Sequence, residues 1–86
     1  MKIRKQLVKR NVAGDIILVP VGDASLELKG LITLNETAEL LWDALPAAED
    51  EQALVDVLRE NYEVDAGTAA ADVAEFLKQL RVLQIL

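Results

Sequence analysis

Residues 25–46 read SLELKGLITLNETAELLWDALP, and within them the hydrophobic period changes once. Leu26 and Leu28 alternate with Glu27 and Lys29, the period of two that marks a half-exposed strand. Beyond Asn35, the residues Ala38, Leu41, Trp42 and Leu45 recur at i, i+3, i+4 and i+7, which is one apolar face of a helix. Asn35 stands at the junction as a suitable N-cap, Glu36 favours the positive end of the helix dipole, and Pro46 stops the helix. Lys29-Gly30 admits either a bulge or a second tight turn. One kinked strand over residues 26–34 is the expectation, with two short strands as the alternative.

Upstream of this switch the chain reads as strands. Leu7 to Val12 is a modest strand candidate, Ala13-Gly14-Asp15 supplies a turn, and Ile16 to Val21 is a β-branched run typical of a buried strand. Pro20 limits its ladder hydrogen bonding, and Gly22-Asp23-Ala24 forms the next turn. This middle strand is apolar on both faces, with Ile16 and Leu18 on one and Ile17, Val19 and Val21 on the other. Downstream, a second helix is expected over residues 50–61 with Leu54, Val55, Leu58 and Tyr62 inward. A third and longest helix starts from Asp65 as N-cap and carries the stripe Ala69, Val73, Phe76, Leu77, Leu80 and Leu83. Strands first and helices afterwards predict an α+β domain, a three-stranded antiparallel sheet followed by three helices.

Composition narrows what such a domain can do. At 86 residues and 52% apolar content there is one core, and a chain of this size buries only roughly 60 to 65% of its unfolded surface, too little for a deep cleft. With no His and no Cys, zinc sites of the usual kind, Cys/His pairs and Ser/His/Asp triads cannot be assembled. No oxidising compartment is needed. The opening MKIRKQLVKR lacks the apolar stretch of a signal peptide, and the longest apolar run is far below the roughly 20 residues of a membrane span. A cytoplasmic domain with no membrane partner is expected. Five of the nine basic residues lie in the first ten positions, so residues 11–86 carry a net charge of −11. That body repels nucleic acid, and the basic start is read as the protection of a solvated strand edge.

No chemical motif emerges. Glu36 with Glu39 and Asp72 with Glu75 are spaced for carboxylate dyads, yet each lies opposite its helix's apolar stripe, where a carboxylate is solvated. Ser25 has no base to activate it. Gly14, Gly22, Gly30 and Gly67 form neither GxGxxG nor a P-loop, so no cofactor is expected. The second and third helices could make a winged helix-turn-helix, but the third would offer DNA Asp65, Asp72 and Glu75 against only Lys78 and Arg81. What remains is a surface for another chain. A half-exposed strand beside a long helix can accept one added strand, with Phe76, Leu77 and Leu80 as walls for its side chains.

Several stretches bear this out in another way. Leu31-Ile32-Thr33-Leu34-Asn35-Glu36-Thr37-Ala38 followed by Leu41-Trp42, then Tyr62-Glu63-Val64-Asp65 and Ala71-Asp72-Val73-Ala74-Glu75-Phe76-Leu77-Lys78-Gln79-Leu80, resemble in order and spacing the pattern of the PqqD-like family. Arg10-Asn11-Val12-Ala13-Gly14-Asp15 and Val19-Pro20-Val21-Gly22 match its opening. The resemblance implies a winged helix-turn-helix-like fold and a non-catalytic recognition element for ribosomally made, post-translationally modified peptides. Such proteins bind the leader of the precursor peptide on the third strand, beside the third helix, and present it to a modifying enzyme, often a radical SAM protein. Carried onto this chain, the implied peptide-binding residues are Leu26, Glu27, Leu28, Lys29, Leu31, Ile32 and Thr33 on the strand. On the helix they are Asp72, Val73, Phe76, Leu77, Gln79 and Leu80. Many members end the third helix in Gly where this chain has Gln84, which leaves open whether the helix runs on or closes with another cap. Two other readings stay on the page: a DNA-binding winged helix, and a plain homodimer sealed through the sheet.

Overall fold

The computed structural model describes residues 1–23 and 32–86. β1 (Leu7–Val12) and β2 (Asp15–Pro20) pair antiparallel with Val12 opposite Asp15, so the connection is the two-residue loop Ala13-Gly14. Both loop residues have positive φ, 52° and 88°, the type I′ geometry whose twist matches that of the flanking strands. β2 thus begins one residue earlier than its apolar run, because Asp15 closes the hairpin rather than belonging to the turn. It also ends one residue earlier, at Pro20. The Val21 amide still donates to the Gln6 carbonyl at 3.1 Å, which places Pro20 and Leu7 in a non-hydrogen-bonded pair. The donor that proline lacks is therefore not missed by β1.

β3 (Ile32–Leu34) pairs antiparallel with β2, Ile16 opposite Leu34 and Leu18 opposite Ile32, in a sheet of order β1-β2-β3. The proposed kinked strand over 26–34 is met in its last three residues, and its remainder lies outside the described residues. Three helices follow, as the periodicity predicts. α1 (Glu36–Ala44) is capped by Asn35, whose Oδ1 accepts from the Ala38 amide at 2.8 Å. Pro46, in the 3₁₀ turn Leu45–Ala47, ends it. α2 (Glu51–Asn61) is capped by Asp50, which accepts from the Ala53 amide at 2.9 Å. α3 (Ala66–Val82) is capped by Asp65, which accepts from the Thr68 amide at 2.7 Å. Each cap satisfies donors that the first helical turn leaves unpaired.

The end of α3 answers the question posed by Gln84. Leu83 is the C-cap, and Gln84 adopts φ +59°. The Gln84 amide donates to Arg81 and the Ile85 amide to Leu80, at 3.0 and 2.8 Å. These are the two bonds of a Schellman motif, closed here without glycine. The chain then folds back: the Ile85 carbonyl accepts from the Arg4 amide at 2.7 Å, and the Leu83 carbonyl from Lys5 Nζ at 3.0 Å. A cation at a helix C-terminus is favoured by the dipole.

The core lies between one sheet face and the helices. Leu18 and Leu34 meet Leu41, Trp42 and Leu45 of α1 and its 3₁₀ turn, Leu54 and Leu58 of α2, and Val73, Leu77 and Leu80 of α3, all buried. Trp42 is core, as its neighbours at helical spacing predict. Tyr62 is half-buried against the same cluster.

Candidate functional site

β3 is an edge strand, and the strand pairing decides which of its groups are free. The Gln6–Val21 bond fixes the alternation along β2, so Ile16 and Leu18 turn their backbone groups toward β3. Leu34 and Ile32 receive them. Thr33, between the two, consequently directs its N–H and C=O away from β2 toward the open edge. Its side chain is exposed, and Ile32 is half-buried.

Along this edge runs one flank of α3. Phe76, Gln79, Leu80 and Leu83, at i, i+3, i+4 and i+7, face Ile32, Thr33 and Leu34 across a groove of about 520 Å³ that Asp15, Asn35 and Ala38 complete. Toward the N-terminal half of α3 the groove opens into a recess bordered by Thr37, Leu41, Asp72 and Glu75. Toward its C-terminal end lies a shallow depression formed by Lys78, Val82 and Leu83. Gln79 borders all three.

Of the residues named from sequence, Ile32, Thr33, Phe76, Gln79 and Leu80 thus lie on one groove, with Asp72 on its recess. Val73 and Leu77 do not. Both have 0% exposure and belong to the core cluster. The apolar stripe of α3 is wider than a single contact: its centre, Ala69, Val73 and Leu77, points inward, and only one flank reaches the groove. Leu26, Glu27, Leu28, Lys29 and Leu31 lie outside the described residues. Sequence reasoning missed Asn35, Ala38, Glu75 and Leu83. Leu83 and Glu75 could have been found by stepping four residues from Gln79 and three from Asp72 along the helix, whereas Asn35 and Ala38 come from another element that only packing brings near.

Electrostatics sort the charged residues into paired and unpaired sets. Lys9 of β1 meets Glu39 at 3.0 Å and Asp43 at 2.8 Å on α1, and these carboxylates raise its pKa. The basic start is therefore more than a solvated edge, since Lys9 ties the sheet to α1 and Lys5 caps α3. Glu39, read as solvated, is an ion-pair partner. Arg81 pairs with Glu51 at 3.6 Å, which removes one of the two cations that a DNA-reading α3 would need. Burial and the nearby Glu36 carboxylate push the Tyr62 hydroxyl up. Among the described residues no group of acidic side chains is arranged to hold a metal ion, and no helix is long and apolar enough to cross a membrane.

Comparison with known proteins bears on family and fold. The family model described as coenzyme PQQ synthesis protein D (PqqD) matches residues 16–86. No curated protein sequence matches the chain. Among solved structures, "TbiB1 in Complex with the TbiA(beta) Leader Peptide" superposes with a TM-score of 0.75 at 22% identity, over 100% of this chain and 94% of that one. At that identity the likeness is one of fold.

Proposed function

The chain belongs to the PqqD family, and from that premise we propose that it is a non-catalytic adaptor which binds the leader of a ribosomally synthesised precursor peptide and presents it to a modifying enzyme. The observation that carries this reading is the placement of Thr33: a backbone donor and acceptor without a partner among the described residues stands at the lip of an apolar groove walled by Phe76, Leu80 and Leu83. An extended peptide laid there gains ladder bonds from the edge and burial from the helix, the mode of β-strand addition. The likeness to a chain solved with a leader peptide supports it.

Magnitudes show that both contributions are needed. Thr33 offers two ladder bonds, one from its N–H and one to its C=O, which at about 0.5 to 1.5 kcal/mol net each supply about 1 to 3 kcal/mol. Micromolar affinity requires about 8 kcal/mol after the entropy of association is covered. One or two apolar side chains burying about 150 to 250 Å² in the groove, at about 25 cal/mol per Å², add about 4 to 6 kcal/mol. A peptide without such anchors would not hold.

The modifying enzyme, of the radical SAM class or another, would then act on the peptide segment that projects from the groove. The test is an amide NMR titration with a synthetic leader peptide taken from the nearest short reading frame. Shifts concentrated in residues 32–34 and 72–83 are expected. Binding that moves other amides only, or no binding by protein that sedimentation shows to be monomeric, overturns the reading.

A further inference from the structure

The charged residues around the groove and its recess are Asp15, Asp72 and Glu75, all acidic. Elsewhere the described chain pairs carboxylates with cations where sheet meets helix and helix meets helix, Glu39 and Asp43 with Lys9 and Glu51 with Arg81. At the recess it does not. Among the described residues Asp72 has no ion pair, and Glu75 receives only a 3.5 Å contact from the Gln79 side-chain amide. Lys78, one helical turn from Glu75, borders with it and Val82 the depression toward the C-terminal end of α3, and among the described residues no ion pair joins the two.

Resting on the reading above, we propose that the peptide taken by this groove carries a Lys or Arg that lies against Asp72 and Glu75, beside the apolar residue that fills the space between Ile32, Phe76 and Leu80. Two carboxylates within one turn of α3, without an ion pair among the described residues, border a recess that shares Asn35, Ala38, Phe76 and Gln79 with the apolar groove. A cation held there is attracted by both, whereas an acidic side chain at the same position is repelled. The net charge of −6 over the whole chain works in the same direction over a longer range, raising the encounter rate of basic peptides and depressing that of acidic ones. The apolar wall thus sets affinity, and the recess sets which apolar peptides are accepted.

Display selection of random dodecapeptides on the whole chain tests this, run in parallel on the wild type and on the Asp72→Asn, Glu75→Gln double variant. Both positions are exposed, and circular dichroism verifies that the variant is folded. The wild type is expected to enrich peptides in which a Lys or Arg stands at a constant spacing from an apolar anchor. The variant keeps the anchor and loses the basic preference. A selected basic peptide should bind the variant about three- to tenfold more weakly, the effect of two solvent-exposed charge pairs, and only its affinity for the wild type should fall steeply with added salt. Enrichment of the apolar anchor with no basic preference, or with the same one in both proteins, overturns the proposal and leaves the groove reading standing. Failure to enrich any peptide that competes at residues 32–34 overturns both.

Discussion

The Ile85 amide donates to the Leu80 carbonyl at 2.8 Å, across a turn in which Gln84 stands at φ +59°. Leu80 and Ile85 are both buried, at 2% and 0% exposure, so the apolar contact that accompanies a Schellman motif is in place. This turn sets where α3 stops, and with it the position of Leu83 at the groove.

Gln84→Gly should stabilise the protein by about 1 kcal/mol, since a residue with a Cβ is strained in the left-handed region and glycine is not. Gln84→Val should destabilise it. Urea unfolding of the three proteins checks both signs, and equal midpoints would disprove the strain.

A second left-handed position lies in the hairpin, where Ala13 has φ 52° and Gly14 φ 88°. Ala13→Asn should raise stability by about 0.5 to 1 kcal/mol by supplying the Asn-Gly pair that type I′ turns favour. Gly14→Ala should lower it although open space surrounds that position, because the penalty lies in the backbone alone. Thermal melts of the two variants should move in opposite directions.

Asp65 titrates below the ordinary aspartate value, chiefly because its carboxylate accepts the Thr68 amide at the start of α3. A carboxyl whose folded pKa is depressed binds its proton more readily in the unfolded chain. Its contribution is therefore full above about pH 4 and is lost as pH falls through the folded value. Asp65→Asn keeps a capping oxygen that does not titrate. Its melting temperature should decline less between pH 5 and pH 2 than that of the wild type, and parallel profiles would refute the assignment.

Core and groove on α3 should separate by mutation. Leu77→Ala, at a position with no exposed surface, should destabilise by about 2 to 5 kcal/mol. Thr33→Pro should leave stability nearly unchanged, because the amide it removes faces the open edge, where proline is tolerated. It should nonetheless abolish strand addition, which isothermal titration with the leader peptide would detect. A Thr33→Pro protein that is folded and binds normally would place the peptide elsewhere.

The sequence alone determined the order and type of the described elements, because the β-branched run of β2, period 3.6, the caps Asn35, Asp50 and Asp65, and the stop at Pro46 are local properties that neighbouring residues impose on one another. It also marked α3 as the helix bearing Phe76, Gln79 and Leu80. Tertiary structure decided the rest. A stripe at helical spacing does not say which flank faces the interior, so Val73 and Leu77 separated from Phe76 and Gln79 only when α3 packed against α2 and the sheet. The left-handed turn at Gln84 depends on buried Ile85 meeting Leu80, and the free backbone of Thr33 on the register of β2 against both neighbours. Each joins residues whose separation in the chain or whose orientation no local pattern encodes, and burial of the common core is what selects them.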